Sequence, residues 1–257
     1  MKSWKGWLVL TSVFYLFFLL WTVPAGFCWA WLASRPESKM ARVTMVDLHG
    51  PWSAGGCALV KLGPLQLQDL AWRIHPLALL GGRLEFTLAA TLPDAGKMAA
   101  TVSLGRHDLE LRGLQLQGQA NSLAHTLLPG IPLTGTLAGK DLSLRLTGGL
   151  PVAASGQLTW QGAGVELGKP VAVGDLALQL QSDPGGITGN LKDSGNGPLR
   201  LELQGRLKAD GAYEITGEAA PRGAGQPELA NMLGLLGPKT PDGRIRLSRV
   251  GQLVPFY

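Results

Sequence analysis

Leucine alternates with polar residues through most of the chain that follows Met40. Side chains of a β-strand point alternately to its two faces, so this period of two places the leucines on one face and the Gln, Arg and Glu residues on the other. The pattern predicts a mainly β protein whose sheet has one apolar and one polar face. The candidate apolar face consists of Leu142, Leu144, Leu146, Leu176, Leu178, Leu180, Leu199, Leu201 and Leu203.

Turn-forming residues separate the alternating runs. Glycine accounts for 36 of the 257 residues, about twice its usual share of roughly 7%. Gly and Pro are concentrated in breaks such as 92–96, 148–151, 183–186 and 193–198. This spacing is typical of short antiparallel strands joined in sequence order, so we predict an antiparallel meander.

Two short helices are predicted beside the sheet. One begins at Asn121-Ser122 and ends before Pro129-Gly130, and the other runs from Pro227 to Leu236. Neither is long enough to cover the apolar face of so many strands. The face must be buried by the sheet itself or by a ligand or partner. Both a curled sheet, as a half-barrel or groove, and a closed sandwich with a dry core satisfy the pattern.

An uncharged apolar run near the amino end, residues 7–32, predicts a membrane anchor. It lies between Lys5 and Arg35, and a helix of this length at 1.5 Å per residue suffices to cross a hydrocarbon core of about 30 Å. Tryptophan is frequent at membrane interfaces, and tryptophans stand at both ends of the run. The anchor residues are Trp7, Leu8, Phe14, Phe17, Phe18, Leu20, Trp29 and Trp31.

A cleaved signal peptide is the alternative interpretation of the same run. Lys2 and Lys5 would form its basic region, and Val23-Pro24-Ala25 offers small residues before a cut. Because the apolar run continues past Ala25, we favour the uncleaved anchor. The expected organisation is a cytoplasmic tail at 1–6, the transmembrane anchor at 7–32, a linker at 33–44 and an exported β domain at 45–257.

Charge and cysteine content exclude two further classes. The net charge is only +5, and Lys2 and Lys5 contribute two of these charges. The basic residues are not interleaved with stacking aromatics, so no nucleic-acid surface is predicted. Cys28 lies in or beside the predicted anchor and Cys57 beyond it, so a fold held by disulfides is not expected.

No residue pattern for catalysis, a metal or a cofactor is present in the sequence. The four histidines are scattered without metal-ligand spacing. Pro238 replaces the residue that a phosphate-binding loop needs in 237–240, and Ser53 lacks the spacing of a nucleophile elbow. We therefore expect neither an enzyme nor a bound cofactor. An outer-membrane barrel is disfavoured because the few aromatics do not form girdles.

Several short motifs resemble the N component of the bacterial type II secretion system. A Gly-Pro-Trp-Ser-Ala-Gly turn is followed by a Trp, by a Pro-Leu-Ala-Leu-Leu-Gly-Gly segment and, near the carboxyl end, by Asp-Gly-Arg-Ile-Arg-Leu-Ser-Arg-Val-Gly. The motif residues are Gly50, Trp52, Gly55, Trp72, Pro76, Leu79, Leu80, Gly82, Asp242, Gly243 and Gly251. Large aromatic rings such as Trp52 and Trp72 are more often structural than functional. We expect all of these motif residues to be structural.

The resemblance implies a function and a location. It implies an accessory protein of the type II secretion system, held in the cell inner membrane with its bulk in the periplasm, that supports export of folded periplasmic proteins across the outer membrane. The implied partners are the lipid bilayer and other inner-membrane subunits of that system. The family is also similar to AsmA-like lipid-transport proteins, which implies an alternative in which the apolar groove holds lipid acyl chains.

Overall fold

The computed structural model describes residues 2–34, 43–62, 65–92, 94, 96–122, 132–167, 169–223, 227–234 and 237–253. Thirteen strands form one antiparallel sheet whose spatial order is their order in the sequence. They are β1 (Val43–Val46), β2 (Ala54–Leu62), β3 (Leu65–Ile74), β4 (Leu84–Leu92), β5 (Gly96–Leu104), β6 (Asp108–Gln119), β7 (Leu133–Thr147), β8 (Leu150–Leu167), β9 (Lys169–Asp183), β10 (Gly186–Asp193), β11 (Leu199–Leu207), β12 (Ala212–Pro221) and β13 (Ile245–Gln252). The predicted β class and meander are confirmed.

The sheet is open, with β1 at one edge and β13 at the other. Register shifts interrupt several strand pairs, and residues with positive φ lie at these shifts: Asp69 in β3, Gly113 in β6 and Asp141 in β7. An extra residue in one strand of a pair makes a β-bulge, which bends the strand and increases its twist. Both cysteines are free.

The predicted continuous helix over 7–32 is wrong. The chain forms two helices, α1 (Lys2–Trp21) and α2 (Ala25–Ala33). Pro24 has no N–H to donate and disfavours helical backbone at Val23, so the helix ends before this pair. Within the residues described, none of the helices combines the length and the apolarity that crossing a bilayer requires.

Two further helices lie beside the sheet. Helix α3 (Pro76–Leu80) joins β3 to β4, in a segment for which the sequence left two interpretations open: a bend that lies against the membrane, or the start of the next strand. Helix α4 (Pro227–Gly234) agrees with the second predicted helix and packs against β9 and β12. The first predicted helix is described only over residues 120–122, which are helical, and its remainder lies outside the described residues.

Candidate functional site: the apolar face of the sheet

The strand register aligns the alternating leucines into rows that cross the sheet. One such row passes from Met98 in β5 to Leu247 in β13, with each member the direct cross-strand partner of the next. Its members are Met98, Leu116, Gly139, Leu158, Leu178, Leu191, Leu203, Gly217 and Leu247. Directly paired side chains on one face lie close enough to pack. The row therefore forms a continuous apolar strip across nine strands.

One end of the apolar face is covered by α4. Leu229 and Leu233 of this helix are each 2% exposed and pack with residues of β8, β9, β11, β12 and β13. Three of the candidate leucines belong to this buried cluster: Leu176, Leu199 and Leu201, which are 4–8% exposed. Glu228 in the first turn of α4 is favourably placed for the helix dipole. We call this region the covered end.

The neighbouring part of the face remains half-buried. We define the open strip as Leu178, Leu180, Leu191, Leu203 and Ile215, which occupy two adjacent rows. The first four are half-buried and Ile215 is 39% exposed. Among the described residues, the face changes from buried to half-buried within two positions of β9, from Leu176 to Leu178.

Two glycines shape the floor of the open strip. Gly189 and Gly205 are direct partners between Leu180 and Ile215 in the second row. A Cβ atom on Gly189 would lie 3.2 Å from Leu180 Cδ2, which indicates that the leucine leans over this glycine. A Cβ on Gly205 would approach its neighbours only to 3.8 Å, so the position is open. The second row of the strip therefore has no side chain between Leu180 and Ile215.

The remaining candidate leucines lie on β7. Leu142, Leu144 and Leu146 are half-buried and pair with Leu114, Leu111 and Leu109 of β6, respectively. The nine candidate leucines therefore share one face, but the structure does not give them one environment. Three are buried beneath a helix, and six are half-buried.

The opposite face carries an ion-pair network centred on Glu110. Its carboxylate accepts hydrogen bonds from Arg112 Nη2 at 2.9 Å and from Arg145 Nη2 at 2.8 Å, and Arg83 Nη2 lies 3.5 Å away. The Arg112 and Arg145 guanidinium groups lower the pKa of Glu110 to about 2. Arg83 also donates to Asp108 at 2.7 Å and to the buried Ser103 hydroxyl at 3.0 Å. This network links β4, β5, β6 and β7.

Two open clefts also lie on the sheet. One, of about 310 Å³, is lined by residues of β11 and β12, among them Gln204 and Glu218. The other, of about 530 Å³, is lined by polar residues such as Lys97 and also by Met98 and Leu116 of the leucine row. The second cleft is therefore not confined to polar side chains.

The motif residues of the amino-terminal half attach α1 and α2 to the sheet. Ser53 donates from Oγ to the carbonyl of Trp21 at 2.8 Å, and Trp52 N–H donates to the carbonyl of Val23 at 2.9 Å. Trp72 Nε1 donates to the carbonyl of Trp52 at 2.8 Å, while the rings of Trp21 and Trp52 meet edge to face at 5.5 Å. The backbone groups released by the helix break at Pro24 are thus satisfied by the turn.

Glycine is required at two positions of this turn, at Gly50 by the backbone conformation and at Gly55 by the close packing of its neighbours. Gly50 has φ of 78°, in the left-handed region that favours glycine. A Cβ on Gly55 would lie 2.7 Å from both the His49 carbonyl oxygen and the Trp72 ring. Side chains of α2 and the strands, including Cys28 and Trp29, line a small cleft of about 180 Å³ beside Trp52 and Trp72.

The other motif residues lie at turns. Pro76 occupies the first turn of α3, and Gly82 follows that helix with φ of 68°. Leu79 and Leu80 are 40% and 87% exposed. Asp242 and Gly243 precede β13 in a turn closed by the Gly243 N–H bond to Thr240. On β13, the Tyr213 ring of β12 lies over Gly251, its direct partner.

The predicted anchor residues have different surroundings. In α1, Trp7 is 69%, Phe14 67% and Phe18 65% exposed, and Leu8 is also exposed. Trp31 of α2 is exposed, whereas Trp29 is half-buried beside the sheet. The side chains of Phe17 and Leu20 lie outside the described residues. The two halves of the predicted anchor therefore differ: α1 presents apolar side chains outward, and α2 packs partly on the sheet.

Sequence reasoning missed two features of the site. The burial of Leu176, Leu199 and Leu201 by α4 could have been suspected from the apolar positions Leu229, Met232 and Leu233 on the helix, but its docking place has no local signal. Helix α3 was also missed: the segment 76–82 was interpreted either as a bend that lies against the membrane or as the start of the next strand, although its run of four apolar residues between Pro76 and Gly81 is visible in the sequence.

A comparison with protein-family models finds type II secretion system (T2SS), protein N, matched over residues 41–248. No curated protein and no solved structure matches the chain. The similarity to AsmA-like proteins has no support from these comparisons. The matched family is a secretion accessory component and not a known enzyme family. Because the match spans most of the chain and nearly all of the sheet, the chain belongs to the type II secretion system protein N family.

Proposed function

We propose that this protein is an accessory subunit that is bound to the inner membrane and supports export of folded periplasmic proteins across the outer membrane. Its β domain is periplasmic and contacts other subunits of the secretion system. The observation that carries the proposal is the family match over 41–248, which covers β1 to β12 and the first residues of β13. No catalytic step is assigned to the protein.

The open strip is the contact surface in this proposal. Its apolar side chains are half-buried, whereas the same face is buried where α4 covers it. Apolar area removed from water stabilises a complex by about 25 cal/mol per Å². A protein surface that packs over Gly189 and Gly205 would bury these side chains. Family membership supports a secretion-system subunit as the occupant.

The membrane association rests on α1. Its outward side chains include Trp7, Phe14 and Phe18, each at least 65% exposed. Helices with apolar surface of this kind are stable in the hydrocarbon or interfacial region of a bilayer. The proposal requires that this surface be immersed in the membrane. The division into tail, anchor, linker and periplasmic domain given by the sequence remains part of the proposal.

The test is export of a folded enzyme from cells that lack the protein. We expect the enzyme to accumulate in the periplasm and its extracellular activity to fall, and expression of the full chain should restore export. A periplasmic marker protein controls for leakage through the outer membrane. The Leu176→Asp chain, which we expect to unfold, serves as a matched negative control for complementation. Normal export together with an altered envelope lipid composition would contradict the proposal.

A lipid-holding role is the second candidate. The one observation in its favour is the half exposure of the open strip, which could contact acyl chains as well as protein. The family comparison gives it no support. Its distinctive expectation is phospholipid bound to the strip in the purified protein, and mass spectrometry of the gently solubilised full chain would detect it.

A further inference from the structure

Helix α3 presents an exposed apolar surface at one of the two edges of the sheet that are formed by strand ends and turns, as distinct from the edge strands β1 and β13. Leu77 is 78% and Leu80 is 87% exposed, and no residue of this helix is buried. Exposed apolar side chains are common singly, but adjacent ones on a projecting turn often mark an interaction site. The open strip does not include this surface.

The conformation of α3 is held by hydrogen bonds at both ends. His75 N–H donates to the Glu85 carbonyl at 2.8 Å, and its Nε2 lies 2.7 Å from Thr87 Oγ1. At the other end, Arg83 N–H donates to the Ala78 carbonyl at 3.2 Å, while the Arg83 side chain bonds Asp108 and Ser103. Leu77 and Leu80 therefore project from a helix whose two ends are fixed by hydrogen bonds.

Ser53 is one of the residues that link this edge of the sheet to the end of α1. Ser53 is 2% exposed and bonds in two directions. Its hydroxyl donates to the carbonyl of Trp21, the last residue of α1, and its own carbonyl accepts the N–H of Ile74 at 2.7 Å. Helix α3 begins two residues after Ile74. The end of α1 and the strand that leads into α3 thus bond to the same residue.

Exposed basic residues flank α3. Arg73 precedes it on β3. Leu84, which follows α3, pairs with Leu104, so the β5–β6 turn with Arg106 is the next turn along this edge. Arginines beside apolar side chains favour the interface of a bilayer that contains anionic phospholipids.

We propose that α3 is a second membrane contact, at which Leu77 and Leu80 enter the interfacial layer of the bilayer that holds α1. This inference rests on the membrane association proposed above. The contact would orient this edge of the sheet toward the membrane. The opposite edge, which contains the turn at 194–198 between β10 and β11, would then face away from it.

The test uses a photoreactive benzoylphenylalanine placed singly in the full chain, reconstituted in phosphatidylethanolamine–phosphatidylglycerol vesicles. It replaces Leu80, Trp7 as a probe of α1, or the exposed Asn196 on the opposite edge as a matched control. Each full chain is irradiated and analysed by mass spectrometry for phospholipid adducts. We expect adducts from positions 80 and 7 and none from position 196.

The outcomes separate the two proposals. Lipid adducts at position 7 without any at position 80 would overturn the role of α3 and leave the membrane association standing. Absence of lipid adducts at position 7 would overturn the membrane association and the α3 contact with it. Adducts of equal yield at positions 80 and 196, or adducts at position 80 to a second protein only, would also overturn the α3 contact.

Discussion

The covered end and the open strip are built from the same strands and the same residue type. Leu176 and Leu178 are on one face of β9, and Leu201 and Leu203 are on the same face of β11, yet the first of each pair is 8% exposed and the second is half-buried. The difference is made by α4, which comes from a distant part of the sequence. The alternating pattern determines which face of the sheet a side chain occupies, whereas the burial of that side chain depends on what covers the face.

The largest expected effect separates Leu176 from Leu178. Leu176→Asp places a carboxylate beneath α4 without a partner, which should cost about 4 kcal/mol or more and unfold the domain. Leu178→Asp leaves the carboxylate within reach of water and should cost about 1–2 kcal/mol. Thermal unfolding of the two full-length variants measures the contrast. Equal losses would show that the open strip is as buried as the covered end.

Substitutions in α4, the helix that buries the covered end, test the same comparison. Leu229→Ala should lower the free energy of unfolding by about 2–4 kcal/mol, because this side chain is 2% exposed in the core cluster. Met232→Ala is the matched control on the same helix and should cost less, since Met232 is only partly buried. Denaturant unfolding measures both. A larger loss of stability for Met232→Ala than for Leu229→Ala would show that Leu229 is not the main side chain that covers this end of the sheet.

The third prediction concerns pH and the polar face. The pKa of Glu110 is about 2 in the folded chain and about 4.3 in an unfolded one. The lowered value means that ionised Glu110 stabilises the fold above pH 4.5 and that this contribution is lost as the pH falls toward 2.

We expect Glu110→Gln to cost about 1–2 kcal/mol above pH 5, after allowance for the solvent exposure of its arginine partners. The difference from the natural chain should shrink as the pH falls from 4.5 to 2, as denaturant unfolding at each pH would measure. Glu202→Gln, in an exposed pair with Lys192, is the control and should cost less than about 0.5 kcal/mol at every pH. A loss of stability that does not depend on pH would show that the substitution acts through packing and not through the charge of Glu110.

The smallest expected effect is that of a substitution at Ile215, for which Ile245 provides the buried comparison. Ile215→Thr in the open strip should change the free energy of unfolding by less than about 0.5 kcal/mol, since Ile215 is 39% exposed. Ile245→Thr at the covered end, where Ile245 is 3% exposed, should cost about 2 kcal/mol because it buries a hydroxyl. Calorimetry of the two variants provides the measurement. A similar cost at both positions would remove the distinction between the regions.

Local chemistry explains why the strands and turns could be predicted. Runs such as Leu199–Leu203 encode a strand and its apolar face in five residues, and breaks such as 183–186 encode the turn beside it. The break after Trp21 also had a local signal in Pro24, which was used instead to place a possible cleavage site. Pro24 shows that a long apolar run does not establish a single helix.

The candidate site depended on information that is not local. Leu176 and Leu178 are indistinguishable in the alternating pattern, and only the docking of α4 separates them. Likewise, Ser53 was considered only as a nucleophile, and its role in joining Trp21 to Ile74 depends on contacts over 32 and 21 positions of sequence. Such long-range contacts require the three-dimensional arrangement.

The most direct test of the account is photo-crosslinking in cells from position 178 in the open strip, with adducts identified by mass spectrometry. A photoreactive residue at the buried position 176 is the control and should give adducts within the chain itself. The account predicts that position 178 forms adducts with other subunits of the secretion system. Phospholipid adducts without protein partners, or adducts confined to the chain itself, would contradict it.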